Sequence, residues 1–251
     1  MTKFAQPTII LCPTCNWHLL QSQLMSFSFR QSDHNGWTDG VTTSGIPIIT
    51  SPLLQCPLCH NPFWKKDARV IGQLQPEEPP AEIGFFATIL ETVTGKKKKK
   101  VDRDPPIGFN WLGVPNNVHN AVQSTLPTIG DWLTILNGSV PLTPERESIV
   151  RRKIWQKGND HQRIRSDGTP CRKTPLFSDE FSRQNLLALL DLHERNLVNE
   201  SIEKAEILRQ LSRFDEASKI LKMIPHEDQI SIRFQIRKFA DNRDSTVQLL
   251  E

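Results

Sequence analysis

The alternation of apolar and polar residues predicts β-structure in the first third of the chain. From Met25 to Phe29 apolar residues alternate with polar ones, which is the two-residue period of a half-buried strand. The dipeptide Asp39-Gly40 favours a turn, because glycine accepts a positive φ and aspartate tolerates one. We therefore expect a β-rich domain over residues 1–74.

A helical period replaces this alternation from Thr143 onward. Thr143 suits the position before a helix, Pro144 suits the first turn, and Gly158 suits the end. Ser178, followed by two acidic residues, predicts the start of a second helix. These signals indicate an α-helical domain over residues 143–251.

Two further patterns lie within this helical part. Apolar residues recur every three or four positions through 202–224, and the break at Ser212-Arg213 divides them into a helical hairpin. Residues 230–239 fit both a strand and one face of a helix, and the helical surroundings favour a helix.

The region between the two parts, residues 75–142, is predicted to be a linker and irregular structure. It opens with a proline-rich stretch at 75–81, residues 83–93 fit a short helix, and Lys96–Lys100 are expected in an exposed loop. The overall fold class is therefore α+β, with an N-terminal β-rich domain and a C-terminal α-helical domain.

Composition narrows the class of protein. The chain has 251 residues, of which 37% are hydrophobic and 24% charged, and this excludes wholesale disorder and coiled-coil or membrane character. No stretch approaches the roughly 20 apolar residues of a membrane helix, and the start shows no signal-peptide pattern. Five cysteines, two tight pairs and one more, are typical of a reduced protein, so we expect a cytoplasmic location.

Charge is distributed unevenly although the net charge is only +3. Residues 143–177 contain nine Lys/Arg against four Asp/Glu, whereas residues 178–251 contain eleven against fourteen. A basic segment of this kind is either a solvated surface or part of a nucleic-acid interface.

The four paired cysteines carry the most specific chemistry in the sequence. Zinc prefers four thiolate or imidazole ligands in a tetrahedron, and a Cys-x-x-Cys turn presents two sulfurs from one loop. The pairs Cys12/Cys15 and Cys56/Cys59 supply such a set. The 40 residues between the pairs exceed the roughly 15 to 20 of the commonest spacing, and an inserted hairpin explains them. We therefore expect one structural Zn²⁺ ion.

Other uses of the four cysteines remain open at this point. An iron–sulfur site takes the same ligands, and His18 or His60 could replace a cysteine. Two disulfides are disfavoured in a reducing compartment. Asn16 and His60 follow the second cysteine of each pair, where a left-handed backbone is tolerated by both residue types.

Two family resemblances follow from these motifs. The N-terminal 70 residues, with CPTC and CPLC, look like a zinc ribbon. Residues 205–217 resemble a tetratricopeptide repeat junction, with small residues at Ala205 and Ala217, an aromatic at Phe214, and Ser212 where the family has glycine. The whole arrangement is similar to uncharacterised bacterial proteins with a ribbon and a helical C-terminal part, which implies no particular activity.

One polar cluster stands out as a possible ligand or partner site. Arg151 and Trp155 lie four residues apart on one helix face, and further polar residues follow the helix end. Arg–Trp stacking and pairing of Asp160 with an arginine would explain the cluster structurally. The residues concerned are Arg151, Arg152, Trp155, Asn159, Asp160 and Arg163.

Three functions follow from these observations. The leading hypothesis is a non-enzymatic zinc-binding adaptor whose helical domain binds another protein. The alternative is an RNA- or DNA-binding zinc-ribbon protein that uses the basic segment 143–177. The least favoured is an enzyme that uses Arg151, Asn159, Asp160 and Arg163, because no phosphate loop, dinucleotide fingerprint or serine elbow is present.

Overall fold

The computed structural model describes eleven stretches of the chain: 3–4, 7–21, 24–26, 35–43, 51–76, 109–110, 120–138, 141–165, 168–195, 201–224 and 230–250. The expected strand at 25–29 is described only to residue 26, where a strand is present. The expected helix at 83–93 and the loop at Lys96–Lys100 lie outside the described residues.

The elements confirm an α+β fold, with most strands in the N-terminal half and the helices in the C-terminal half. In chain order the strands are β1 Lys3–Phe4, β2 Thr8–Leu11, β3 His18–Gln21, β4 Leu24–Ser26, β5 Asn35–Trp37, β6 Thr42–Thr43, β7 Leu53–Gln55, β8 Pro62–Trp64, β9 Val70–Gln73, β10 Gln75–Pro76, β11 Phe109–Asn110, β12 Val122–Gln123 and β13 Leu249–Leu250. The helices are α1 Ile129–Leu136, α2 Pro144–Gly158, α3 Asp179–Glu194, α4 Ser201–Gln210, α5 Phe214–Met223 and α6 Ile230–Asp241.

Contacts divide the chain into two compact units. The first, here called the cysteine unit, contains Met1–Ser28 and Ile48–Leu126, and the second, the helical unit, contains Phe29–Pro47 and Pro127–Glu251. The segment around residues 35–43 therefore groups with the helices, whereas the division made from sequence placed it in the domain 1–74. Strand pairing explains the difference, because β5 pairs with β13 near the other end of the chain.

The cysteine unit is built on a four-stranded sheet in the order β12-β3-β2-β9. Strand β2 pairs antiparallel with β3 and β9, and β12 pairs parallel with β3. A separate antiparallel hairpin joins β7 and β8. The core of the cysteine unit contains residues of both the β2–β3 hairpin and the β7–β8 hairpin, among them Ile10, Leu19, Leu54 and Phe63. One apolar cluster therefore holds the two hairpins together.

Helices α2 and α3 begin where the sequence predicts, and α2 also ends there. Thr143 caps α2, its side chain accepting from the Arg146 N–H, and α2 runs from Pro144 to Gly158. Ser178 caps α3 in the same way. The segment at 230–241 is helical, which resolves the ambiguity between strand and helix there.

The helical unit has its core where helices α2 to α6 meet. Trp155 and Leu189 pack with Ile207 of α4, and Ala217 of α5 lies in the same buried cluster. A second cluster joins α4, α5 and α6 through Ala205, Leu221 and Ile236. A small sheet in the order β13-β5-β6 completes the unit.

The region 75–142 contains regular structure that the sequence analysis did not predict. Strand β12 extends the sheet of the cysteine unit, and α1 begins at a capping box formed by Thr128 and Asp131. Among the described helices, none combines the length and apolar composition needed to cross a bilayer.

Candidate metal centre

Each Cys-x-x-Cys pair occupies the loop of a two-stranded hairpin. Cys12 follows directly after β2 and Cys56 directly after β7. In both loops the backbone N–H of the first cysteine closes the loop, donating to the Trp17 carbonyl at 2.9 Å and to the Asn61 carbonyl at 3.2 Å. The two hairpins therefore present their cysteines in equivalent ways.

The residue after each pair turns the chain back into the next strand. Asn16 has φ 56° and His60 has φ 57°, both in the left-handed region. Their backbone N–H groups donate to the carbonyls of Cys12 and Cys56, at 2.9 Å in each case. This confirms the left-handed positions expected after the second cysteine of each pair.

The four sulfurs converge on one point. All four Sγ atoms lie within 4.8 Å of one another, and the group includes neither His18 nor His60. Sγ of Cys12 lies 3.8 Å from that of Cys59, and Sγ of Cys15 lies 3.8 Å from that of Cys56. A disulfide is excluded, because its S–S bond measures about 2.05 Å.

The two separations of 3.8 Å equal the edge of a metal–thiolate tetrahedron. Four sulfurs, each about 2.3 Å from a central zinc ion, would lie about 3.8 Å apart along every edge. The pairs at 3.8 Å each join cysteines of different hairpins, so a bound ion would connect the two loops. Cys12 and Cys56 are fully buried, whereas Cys15 is exposed.

The pKa values of the cysteine thiols differ within the cluster. Loss of solvation raises the pKa of Cys56. Although the Cys15 residue is exposed, loss of solvation together with hydrogen bonds to the other three thiols raises the pKa of Cys15 to about 12. Burial also opposes ionisation of Cys59, but the Asn61 N–H and the neighbouring thiols outweigh it and lower the pKa of Cys59 to about 7. Four adjacent thiolates repel one another, so full deprotonation of the cluster needs a bound cation.

The six polar residues singled out in the sequence are placed in α2 and the turn that follows it. Arg151 pairs with Glu147 at 2.6 Å, and Arg152 pairs with Glu203 at 2.5 Å. The indole N–H of Trp155 donates to Gln210 at 2.8 Å. These three side chains are thus engaged within the helical unit, and their role in binding a partner stays a prediction.

Two of the remaining three residues, Asn159 and Arg163, contact the buried carboxylate of Asp39, which the sequence analysis assigned only to a turn. Arg163 pairs with both Asp39 and Asp160, and Asn159 donates to Asp39 at 2.9 Å. Burial raises the pKa of Asp39, while the Arg163 guanidinium and the Asn159 amide act against the rise. The Asp39-Gly40 turn is present, with φ 79° at Gly40, but its aspartate also serves this ion pair.

A second buried ion pair lies in α4. Glu206 and Arg209 are both fully buried and pair at 2.7 Å. Arg209 also donates to Thr38 Oγ1 at 3.2 Å and to the Thr246 carbonyl at 2.8 Å. The sequence carries one signal for this pair, opposite charges three residues apart within one helix.

Comparison of the chain with protein-family models, with characterised proteins and with solved structures gives no significant match.

Proposed function

We propose that this protein is a non-enzymatic adaptor whose cysteine unit folds around one structural zinc ion and whose helical unit binds another protein. The observation that carries the proposal is the convergence of four cysteine sulfurs within 4.8 Å. The helical unit supports the adaptor role less directly, through its α4–α5 hairpin and its exposed apolar side chains.

Ligand chemistry favours zinc and a structural role. Four thiolates fill a tetrahedral shell, whereas catalytic zinc keeps one position open for water or substrate. The separation of 3.8 Å between sulfurs of different hairpins suits a closed set of this kind. Iron also accepts four thiolates in a tetrahedron, so metal identity is decided by measurement.

Elemental analysis of the purified full-length chain tests the metal site. We expect about one zinc per chain, lost in Cys12→Ser because three thiolates leave the shell incomplete. Cys171→Ser is the matched control, since Cys171 is a free cysteine outside the cluster and its loss should leave the zinc content unchanged. Iron in place of zinc, with visible colour, would change the metal in the proposal. The absence of any metal would contradict the proposal.

The helical unit presents apolar side chains that suit a protein partner. Met223 of α5 is 74% exposed and Phe234 of α6 is 51% exposed. A few large side chains buried at an interface supply much of the binding energy, and such side chains are exposed to water in the free protein.

Capture of binding partners with matched variants tests the adaptor role. A specific partner should bind the zinc-loaded chain and be lost with Phe234→Asp or Met223→Asp. Lys238→Asp, which introduces the same residue at an exposed position of α6, should retain it. Partners held equally by all four proteins, or no partner at all, would contradict the proposal.

The nucleic-acid alternative rests on the basic segment 143–177 and has weaker support. Several of its cations are engaged with carboxylates of the chain, which reduces the charge offered to phosphates. The pairs are Arg151 with Glu147, Arg152 with Glu203, Lys157 with Asp160, and Arg163 with Asp39. RNA or DNA binding that weakens steeply with salt would favour this alternative over the adaptor role.

A further inference from the structure

A cavity of about 220 Å³ lies in the cysteine unit, where the end of β3, the start of the β7–β8 hairpin and the segment after β12 meet. Its described wall contains Gln21, Ser51, Leu54 and residues 123–126. The volume is several times the roughly 30 Å³ that a water molecule occupies in the liquid, and it is below the roughly 300 to 1,000 Å³ of most ligand pockets. The cavity therefore suits a compact group of a few heavy atoms.

Gln21 occupies a position on the buried face of β3. Side chains two residues apart point to the same side of a strand, and on this side Leu19 is fully buried in the apolar cluster that contains Leu54. Gln21 itself is 4% exposed. Its amide is thus held in the interior, where a polar group is costly unless it is hydrogen-bonded.

Both polar atoms of this amide are open to the cavity. Within the described chain, neither Oε1 nor Nε2 of Gln21 has a hydrogen-bond partner, and neither is among the unpartnered side-chain atoms that are sealed from solvent. A water-sized molecule therefore reaches both atoms, and the residue that carries them lines this cavity. A free donor and a free acceptor are thus offered there side by side.

The other polar side chains of the wall are mostly engaged. Ser51 Oγ donates to the Leu53 carbonyl at 2.7 Å, and Thr125 Oγ1 donates to Gln55. Gln123 is exposed and already has an interaction within the chain. The Ser124 hydroxyl has no hydrogen bond among the described residues, and a hydroxyl donates or accepts as its partner requires. Gln21 therefore sets the hydrogen-bonding pattern of the cavity.

The cavity favours a neutral ligand with a small apolar part. No charged residue belongs to its described wall, so a carboxylate or an ammonium group would lose its hydration without gaining a counter-charge. Leu54 is buried in the wall, and Leu126 is 48% exposed. An alkyl group of the ligand would cover Leu126 and remove its apolar surface from water.

The pattern of donor and acceptor on Gln21 selects one class of neutral group. Its amide presents an N–H and a carbonyl oxygen on one edge of a planar group. A primary carboxamide has the same two groups on one edge, so two such amides pair through two hydrogen bonds. A trans peptide bond directs its N–H and its carbonyl to opposite sides and could satisfy only one atom of Gln21.

We propose that this cavity binds a primary carboxamide. Gln21 Oε1 accepts from the N–H of the ligand, Gln21 Nε2 donates to its carbonyl, and its alkyl part lies against Leu54 and Leu126. A small free amide carries this group, and so does an Asn or Gln side chain of a polypeptide. The proposal requires a folded cysteine unit but neither a particular metal nor the adaptor role, and it goes beyond both.

The test is NMR of the Gln21 side-chain NH₂ group in the full-length chain as purified. The resonance is identified by its loss in Gln21→Met, or by sequential assignment if that variant does not fold. Titration with isobutyramide should shift this resonance saturably. Isobutyrate, which has the same shape and a negative charge, should leave it unshifted, and so should N-methylacetamide, which is a trans secondary amide.

Two variants separate the site from general effects of the amide. Gln21→Met removes both hydrogen-bonding atoms and breaks no side-chain bond within the described chain, so it should fold and bind isobutyramide at least roughly tenfold more weakly. Binding to this variant is followed through the backbone N–H resonances of Ser124 and Thr125. Gln73→Met makes the same exchange at an exposed position of β9 outside the described wall, and it should bind like the unmodified chain.

Acetylglutamine N-methylamide distinguishes the two sources of the carboxamide. Tighter binding of this compound than of isobutyramide assigns the site to a polypeptide side chain, and tighter binding of isobutyramide assigns it to a free amide. A Gln21 resonance that isobutyramide does not shift, equal binding of isobutyrate or N-methylacetamide, or undiminished binding by folded Gln21→Met overturns the proposal.

Discussion

Four non-glycine residues of the described chain have a left-handed backbone: Asn16, His60, Ser212 and Arg243. Each lies where the chain reverses, at the turn after a Cys-x-x-Cys pair or at a helix end. Ser212 ends α4 in a Schellman motif, since Arg213 N–H donates to the Leu208 carbonyl at 2.8 Å and Ser212 N–H to the Arg209 carbonyl at 2.9 Å. The backbone of a non-glycine residue is strained at such a position, because its Cβ lies too close to the carbonyl oxygen that follows.

Ser212→Gly should therefore stabilise the protein. Its φ of 60° costs serine about 1 kcal/mol that glycine avoids, so the free energy of unfolding in urea should rise by about that amount for the helical unit. Ser182→Gly, within α3, is the matched control and should lower it by about 0.5–1 kcal/mol. A loss of stability in Ser212→Gly would contradict the account of this turn.

Helix boundaries show how far local signals determine the elements. Thr143, Pro144 and Gly158 predict α2, and the structure has its bounds at Pro144 and Gly158. Helix α1 carries a similar signal, a Thr128–Asp131 capping box, inside a region predicted to be irregular. Strand β12 has only two residues and pairs with β3, so no periodicity could have predicted it.

Thr143→Ala should lower the stability of the helical unit by about 1 kcal/mol, because it leaves the Arg146 N–H in the first turn of α2 without its side-chain acceptor. The Thr143 hydroxyl accepts from Arg146 N–H at 3.4 Å, and Thr143→Ser keeps this acceptor. In urea unfolding, the Thr143→Ala variant should therefore be less stable than the Thr143→Ser variant. Equal stability of the two variants would mean that the cap contributes nothing here.

The segment 35–43 connects distant parts of the chain. Asp39 pairs with Arg163, and Thr38 N–H donates to the Gln248 carbonyl at 2.9 Å. Arg209 binds both Thr38 and the tail residue Thr246. Buried charged side chains thus join three separated stretches of the sequence within the helical unit.

Asp39→Asn should destabilise the helical unit strongly. It removes a carboxylate that is 4% exposed and leaves the Arg163 guanidinium, 2% exposed, without its buried counter-charge. Loss of one partner of such a pair costs about 3–5 kcal/mol. Asp160→Asn removes the more exposed partner of the same arginine and should cost about 1 kcal/mol or less in chemical denaturation. Similar small losses for both would show that the buried pair contributes little.

Metal removal should affect the two units differently. Chelation, or Cys56→Ser, should unfold the cysteine unit, because a metal site absent from the unfolded chain links binding to folding. Residues 36–41 should remain protected from hydrogen exchange, since their backbone bonds to Val41 and Gln248 belong to the helical unit. Mass-spectrometric exchange checks this, and loss of protection throughout 1–74 would instead support a domain that ends at residue 74.

The sequence by itself determined the two Cys-x-x-Cys loops, the bounds of α2 and the start of α3, because all of these depend on short-range spacing. A Cys-x-x-Cys loop and a Thr-Pro helix start are complete within a few residues. Only the tertiary structure decided that Asp39 lies against Arg163, that Gln21 and Leu126 line one cavity, and that β12 joins the sheet at β3. These contacts join residues about a hundred or more apart, and their energy comes from burial and charge pairing that exist only once the chain has folded.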